Sequence, residues 1–137
     1  MKNIRIILVE NDEDEQFFME EGFNASGLYQ IVQKFPTGDE LLEWMEQHPE
    51  DLPDVILSDL NMPGKNGYDI ISETRSRPEW NAIPVIITST SSTKSIMDKC
   101  LQLGAAAYVV KPETFISYKE YAKKLYELIE EKKLVVE

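Results

Sequence analysis

The sequence has one cysteine, Cys100, and one histidine, His48. A lone cysteine excludes an intrachain disulfide framework and any cysteine-cluster metal site. A lone histidine excludes zinc sites that need two or more imidazoles from one chain. No apolar run approaches the ~20 residues that span a bilayer. The apolar stretch Ile6–Val9 is too short for a signal peptide. Basic residues are also scarce, with 14 Lys and Arg against 25 Asp and Glu and a net charge of −11. Residues 1–60 hold 15 acids and 3 bases, whereas residues 61–137 hold 10 acids and 11 bases. This balance argues against nucleic acid, which needs a basic footprint, and against an anionic membrane surface. The expectation is a soluble, cytoplasmic protein without nucleic-acid or membrane partners.

What is present is an ordinary globular balance, 42% hydrophobic and 28% charged over 137 residues. That length fits one domain with a real core. The expected unit is residues 1–137, with a core over about 3–132 and a short apolar tail, Leu134 to Glu137.

Ile4 to Val9 reads as a buried parallel strand, β-branched almost throughout. Asp12 is placed to cap a helix running to about Ser26, and Glu15 follows at capping-box spacing. Tyr29–Lys34 alternates as a strand, and Thr37 caps a helix that ends near His48 and Pro49. Val55–Asp59 is a third strand ending on an acid. Asn61–Gly67 is a loop by composition, and a helix follows from Tyr68 to about Arg75. Pro84–Thr88 is a fourth strand. A hydroxyl run leads into a helix over about Ser92–Leu103, with Gly104 at its end. Ala106–Val110 is a fifth strand, and Phe115 to about Lys132 a last helix. Five β-α alternations with short connections predict an α/β fold, a doubly wound five-stranded parallel sheet with helices on both faces.

In such a sheet, ligands bind beyond the carboxyl ends of the strands. The strand ends bring together Glu10-Asn11, Asp59, Thr88-Ser89 and Lys111-Pro112, groups far apart in sequence. Any one alone reads as a cap or surface residue. Together they suit phosphoryl transfer to a carboxylate. Asp59 can attack phosphorus, and a divalent cation between Asp59, Glu10 and a loop carbonyl can bridge the oxygens. A lysine and a hydroxyl can hold the remaining oxygens. An all-oxygen donor set favours magnesium over a transition metal.

At this point the sequence resembles the receiver domains of two-component response regulators, of the CheY-like, stand-alone type. The segment Asp59-Leu60-Asn61-Met62-Pro63-Gly64-Lys65-Asn66-Gly67 fits that family's phosphoacceptor loop. Ser89 lies 30 residues beyond Asp59 and Lys111 lies 52 beyond, both at the family's spacing. Lys111-Pro112 matches its Lys-Pro pair, whose peptide bond is commonly cis, and Tyr108 matches its aromatic switch position. The resemblance implies a flavodoxin-like sheet of order 2-1-3-4-5. It implies that Asp59 accepts a phosphoryl group from a sensor histidine kinase or phosphotransfer protein. Glu10, Asn11, Asp59 and the Asn61 carbonyl would hold Mg2+. Ser89, Thr90, Tyr108, Lys111 and the Asn61 side chain would bind the phosphoryl group or respond to it. A downstream protein target, or a second copy in a homodimer, would use the face formed by the fourth helix, fifth strand and fifth helix.

Two positions depart from the family. Asn11 stands where a second acid usually coordinates the metal, so weaker magnesium affinity and a smaller upward shift at Asp59 are expected. Thr90 is bulkier than the Ala or Gly often found there and can narrow access to Asp59. Asn11 also suggests a competing reading, an interaction module that signals without phosphate. A small hydrolase using Asp59 as nucleophile is disfavoured, because no separate acid–base group and no cap segment is evident. His48 reads as a helix-end surface residue and Cys100 as a packing residue. Trp44 and Trp80 read as packing or partly exposed. Tyr118, Tyr121, Leu125 and Leu128 recur at helical spacing, as a core face.

Overall fold

In the computed structural model, residues 3–135 are described, and five parallel strands form one sheet of order β2-β1-β3-β4-β5. The strands are β1 (Ile4–Val9), β2 (Tyr29–Phe35), β3 (Val55–Asp59), β4 (Val85–Ser89) and β5 (Ala107–Val110). The helices are α1 (Glu13–Ser26), α2 (Gly38–Gln47), α3 (Gly67–Ser76), α4 (Lys94–Leu103) and α5 (Tyr118–Glu131), the last preceded by a 3-10 turn, Phe115–Ser117. The doubly wound class, the strand order and the strand positions agree with the sequence reading.

Alternation along β1 divides the interior. Ile7 and Val9 face a core shared with Leu41, Met45, Ile70 and Ile71 of α2 and α3. Ile4, Ile6 and Leu8 face a second core with Met19 and Phe23 of α1 and Tyr118, Tyr121, Ala122 and Leu125 of α5. Both faces of β1 are thus covered, which is why it reads as an unbroken apolar run. Leu134 and Val135 pack against the second core. Val136 and Glu137, the rest of the expected tail, lie outside the described residues.

Local chemistry sets the boundaries. Asp12 caps α1 by accepting from the Glu15 N–H, and Thr37 caps α2 by accepting from the Glu40 N–H. Gly104 ends α4 in the left-handed region, at φ 112°. Three expectations are corrected. The reciprocal capping box is at Asn66 and Asp69 on α3, not at Asp12 and Glu15. The fourth helix starts at Lys94 rather than Ser92, because the Ser91 hydroxyl takes the Thr93 N–H in a local turn. All described peptide bonds are trans, Lys111-Pro112 included, the lower-energy isomer for most X-Pro bonds.

Among the described residues, no helix is long and apolar enough to cross a membrane. Cys100 and Trp80 are core residues, Trp80 beneath the Arg77 guanidinium. His48 stacks on Trp44 at the end of α2 and bonds the Trp44 carbonyl through Nδ1, at 2.9 Å. Tyr118, Tyr121 and Leu125 are buried, so that face of α5 belongs to the core.

Candidate functional site

The site lies where β1, β3, β4 and β5 end on the same edge of the sheet. Parallel register puts Asp59 opposite Thr88 and Ser89 opposite Val110, so the ends of these strands are level. Asp59 and Ser89 close their strands, and Glu10 and Lys111 directly follow theirs. Gly67 opens α3 against this edge. A Cβ there would lie 3.0 Å from the Asp59 carbonyl and 3.0 Å from the Leu60 Cα, so a side chain would push the helix off the acid's backbone.

At the centre is the Lys111 ammonium. Its Nζ lies 2.7 Å from Glu10 Oε1, 3.1 Å from Glu15 Oε1 and 3.4 Å from Asp59 Oδ1. All four side chains are nearly buried, at 7%, 2%, 12% and 11% exposed. Each carboxylate has a further donor. Glu10 Oε2 accepts from the Asp12 N–H, Asp59 Oδ1 from the Leu60 N–H, and Glu15 Oε2 from the Tyr118 hydroxyl.

Three acids around one cation strain the charge balance. Burial pushes the Glu10 carboxyl up to about 7; the Lys111 hydrogen bond opposes this and the Asp59 charge reinforces it. Burial also raises Asp59, against the opposing charge of Lys111 and the Leu60 N–H. Burial works against the Lys111 charge, but the Glu10 hydrogen bond and the three acids outweigh it and hold the ammonium above its usual range. Burial, then the hydrogen bond to Glu15, raises the Tyr118 phenol, so it stays a donor.

The expected residues divide into two groups. Glu10, Asp59 and Lys111 are in direct contact. The side chains of Ser89, Thr90, Tyr108, Asn11 and Asn61 make no hydrogen bond to those three side chains, and Ser89 meets Lys111 through the backbone alone, its carbonyl accepting from the Lys111 N–H at 2.8 Å. Ser89 is buried, and its hydroxyl accepts from the Ser91 N–H at 3.2 Å. The half-buried Tyr108 donates its hydroxyl to the Ser91 carbonyl at 2.7 Å. Ser91 therefore joins these two candidates, a link that sequence reasoning missed. Thr90, Asn11 and Asn61 are exposed at the mouth of the site. Glu15 was also missed as a site residue, because its spacing to Asp12 suits a cap. The available signal was the run of five acids in residues 10–15, one of which needed a cation.

The donors fit a hard divalent cation. Glu10 and Asp59 supply carboxylates, and the exposed chain at Asn11 and Asn61 supplies neutral oxygens. Magnesium is commonly held by one or two carboxylates plus water and phosphate oxygens. Among the described residues, no three acidic, histidine or cysteine side chains are grouped to hold a metal by themselves.

A family model described as the response regulator receiver domain matches residues 6–123. The chain is 29% identical over 108 residues to the transcriptional regulatory protein PdtaR of Mycobacterium tuberculosis, covering 79% of this chain and 49% of that protein. It is 42% identical over 62 residues to the transcriptional regulatory protein MalR of Bacillus subtilis, covering 45% of this chain and 26% of that protein. The chain thus spans about half or less of these curated relatives. Among solved structures, it superposes with a TM-score of 0.80 on the phosphorylated cyanobacterial phytochrome response regulator RcpA. That pair is 26% identical and covers 93% of this chain and 94% of the other.

Proposed function

The chain belongs to the response regulator receiver domain family of two-component signalling, and from that premise we propose that it is a switch phosphorylated on Asp59. The observation that carries this reading is the Lys111 ammonium 3.4 Å from a nearly buried Asp59 at the carboxyl end of the central strand. The donor is the phosphohistidine of a sensor histidine kinase or phosphotransfer protein. An Asp59 carboxylate oxygen attacks phosphorus, the P–N bond breaks, and its electron pair returns to the imidazole. The product is an acyl phosphate on Asp59.

Lys111 neutralises phosphoryl charge that the site would otherwise hold beside Glu10. The Asp59 carboxylate is oriented before reaction by the Leu60 N–H, 2.8 Å away. Glu10, Asp59, the Asn61 carbonyl and the Asn11 amide oxygen would hold Mg2+, which supplies charge neutralisation across protein and phosphoryl oxygens. The Ser89 hydroxyl gives up accepting from the Ser91 N–H in exchange for donating to a phosphoryl oxygen, with Thr90 and the Asn61 side chain at the entrance. Because Ser91 also accepts from Tyr108, that exchange loosens the Tyr108 ring and biases the face formed by α4, β5 and α5. Leu101 and Val110 already stand exposed on that face, at 47% and 41%. Output is contact with a downstream protein target, or with a second copy through the same face.

The test is the intact mass after incubation with magnesium and acetyl phosphate, with Asp59→Asn in parallel. Gain of one phosphoryl group by the wild type alone supports the proposal. No gain at high magnesium, with no response to beryllofluoride, supports the second reading, a phosphate-independent receiver-fold module. Asn11 is the feature that favours that second reading.

A further inference from the structure

The Lys111 ammonium has three anionic partners, whereas the proposed chemistry uses two. Glu10 and Asp59 belong to the phosphoryl and metal site. Glu15 does not. It sits in the first turn of α1, and both of its oxygens are taken, one by Lys111 at 3.1 Å and the other by the Tyr118 hydroxyl of α5. Among the described residues, Lys111 is the only cation within ion-pair distance of Glu15. A carboxylate fixed at both oxygens and shielded from water competes for a cation far better than a solvated one.

The distances show what it competes with. The hydrogen bonds of Lys111 go to Glu10 and Glu15, and toward Asp59 the ammonium stands off at 3.4 Å. A charge-assisted N–H···O bond closes to about 2.7–2.9 Å. One N–H of the ammonium is left for a phosphoryl oxygen, and closing on that oxygen draws Nζ toward Asp59 and stretches the bonds to its present partners. The bond to Glu10 is the shorter, so Glu15 is the partner to be given up.

Resting on the phosphoryl-accepting reading, we propose that Glu15 is a positioning residue that holds Lys111 in the unphosphorylated protein and opposes its capture by a phosphoryl group on Asp59. The hold is anchored across the α1–α5 seam by Tyr118. Nothing in the family's phosphoacceptor loop or spacing marks this position, and the acid acts only through Lys111.

Titration of beryllofluoride in the presence of magnesium, followed by 19F NMR of the bound species, tests this in the full chain. Glu15→Gln is expected to bind about tenfold more tightly, the size of one charge-assisted hydrogen bond. Glu15→Asp keeps the charge but withdraws it by one methylene, and it is expected to bind severalfold more tightly. In a Lys111→Ala background both shifts should fall to about twofold or less, because the competition acts through the ammonium. A urea midpoint for each variant establishes that it is folded, and Glu15→Asp serves if Glu15→Gln is not. Unchanged or weaker binding by both variants overturns the inference. So does a shift that persists without Lys111, or wild-type behaviour of Glu15→Asp, since either assigns the effect to charge at a distance. A wild type that neither binds beryllofluoride nor gains a phosphoryl group overturns the proposed function, and this inference falls with it.

Discussion

Lys111 lies closer to Glu10 than to Asp59, 2.7 Å against 3.4 Å, although Asp59 is the proposed acceptor. The resting site is therefore a buried ion cluster with its cation displaced toward the metal-side acid. Two carboxylates and a third acid from α1 share one ammonium with little solvent to screen them. Burial raises the Glu10 and Asp59 carboxyls, the neighbouring acids add to it, and this is the basis of the first two predictions.

Without magnesium, the protein should lose stability as pH rises. Glu10 titrates near 7 in the folded chain against 4.5 as an ordinary carboxyl, and Asp59 is shifted in the same direction. Between those values the folded state binds more protons than the unfolded state, so unfolding free energy falls with pH. The stability conferred by the tighter proton is present at pH 4.5 and lost by about pH 8. Lys111 is raised as well, so its charge persists throughout this range. Urea midpoints measured from pH 5 to 8 should fall steadily, and magnesium should restore the midpoint mainly above pH 7. A flat profile contradicts the geometry.

Asp59→Asn should stabilise the metal-free protein at pH 8 while abolishing phosphoryl gain. The amide keeps an oxygen for the Leu60 N–H and removes the charge that burial and Glu15 disfavour. Lys111 keeps its two hydrogen-bonded partners, Glu10 and Glu15. Three acids share one cation here, so neutralising one relieves like-charge repulsion, with an expected gain on the order of 1 kcal/mol. The difference should shrink as pH falls from 8 toward 5, because the raised Asp59 carboxyl gives up its charge more readily than an ordinary one. Urea unfolding of both proteins at the two pH values measures this.

The fold was legible because its signals are local. Unbroken β-branched runs, caps at Asp12 and Thr37, and Gly104 each act within a few residues. Glu10, Asp59 and Lys111 were legible as a set because strand ends in a parallel sheet must share an edge. Glu15 was not. Its partners Lys111 and Tyr118 are 96 and 103 residues away, and its backbone N–H does cap to Asp12 as expected. A local rule explained the residue, and only the α1–α5 packing reveals where its carboxylate goes. Ser91 escaped for a related reason. In a run of six hydroxyl residues, Thr88 to Thr93, nothing local singles out the one whose backbone meets both Ser89 and Tyr108.

Asn11→Asp should tighten magnesium binding about tenfold, since affinity at hard-cation sites follows the number of charged oxygens. Asn11 is exposed, so the added carboxylate carries no burial cost of its own. It also brings a further negative charge near Glu10 and Asp59, which should raise both in the absence of metal. The steepness of the pH dependence should therefore grow in the variant and vanish once magnesium is added. Fluorescence titration with magnesium, repeated at pH 6 and 8, separates the two effects. Ordinary affinity in the wild type, unchanged by the substitution, removes Asn11 as a departure of consequence.

Gly22→Ala should weaken the fold and the Glu15–Tyr118 tie together. Gly22 lies on α1 where α5 crosses closest, and a Cβ there would stand 2.6 Å from Tyr118 Cβ and 2.7 Å from the Lys119 backbone nitrogen. Neither contact can be relieved by a side-chain rotation, because one is backbone and the other is the first atom of a fully buried tyrosine. The helices must separate, at a cost of roughly 1–3 kcal/mol, typical of overpacking a tight contact. Tyr118 moves with its helix, so its hydroxyl is drawn off Glu15 and Lys111 is freed. Gly22→Ala should therefore unfold at lower urea and yet bind beryllofluoride more tightly than the wild type. A merely loosened fold lowers both quantities. Opposite signs require the seam to act on Lys111 through Glu15.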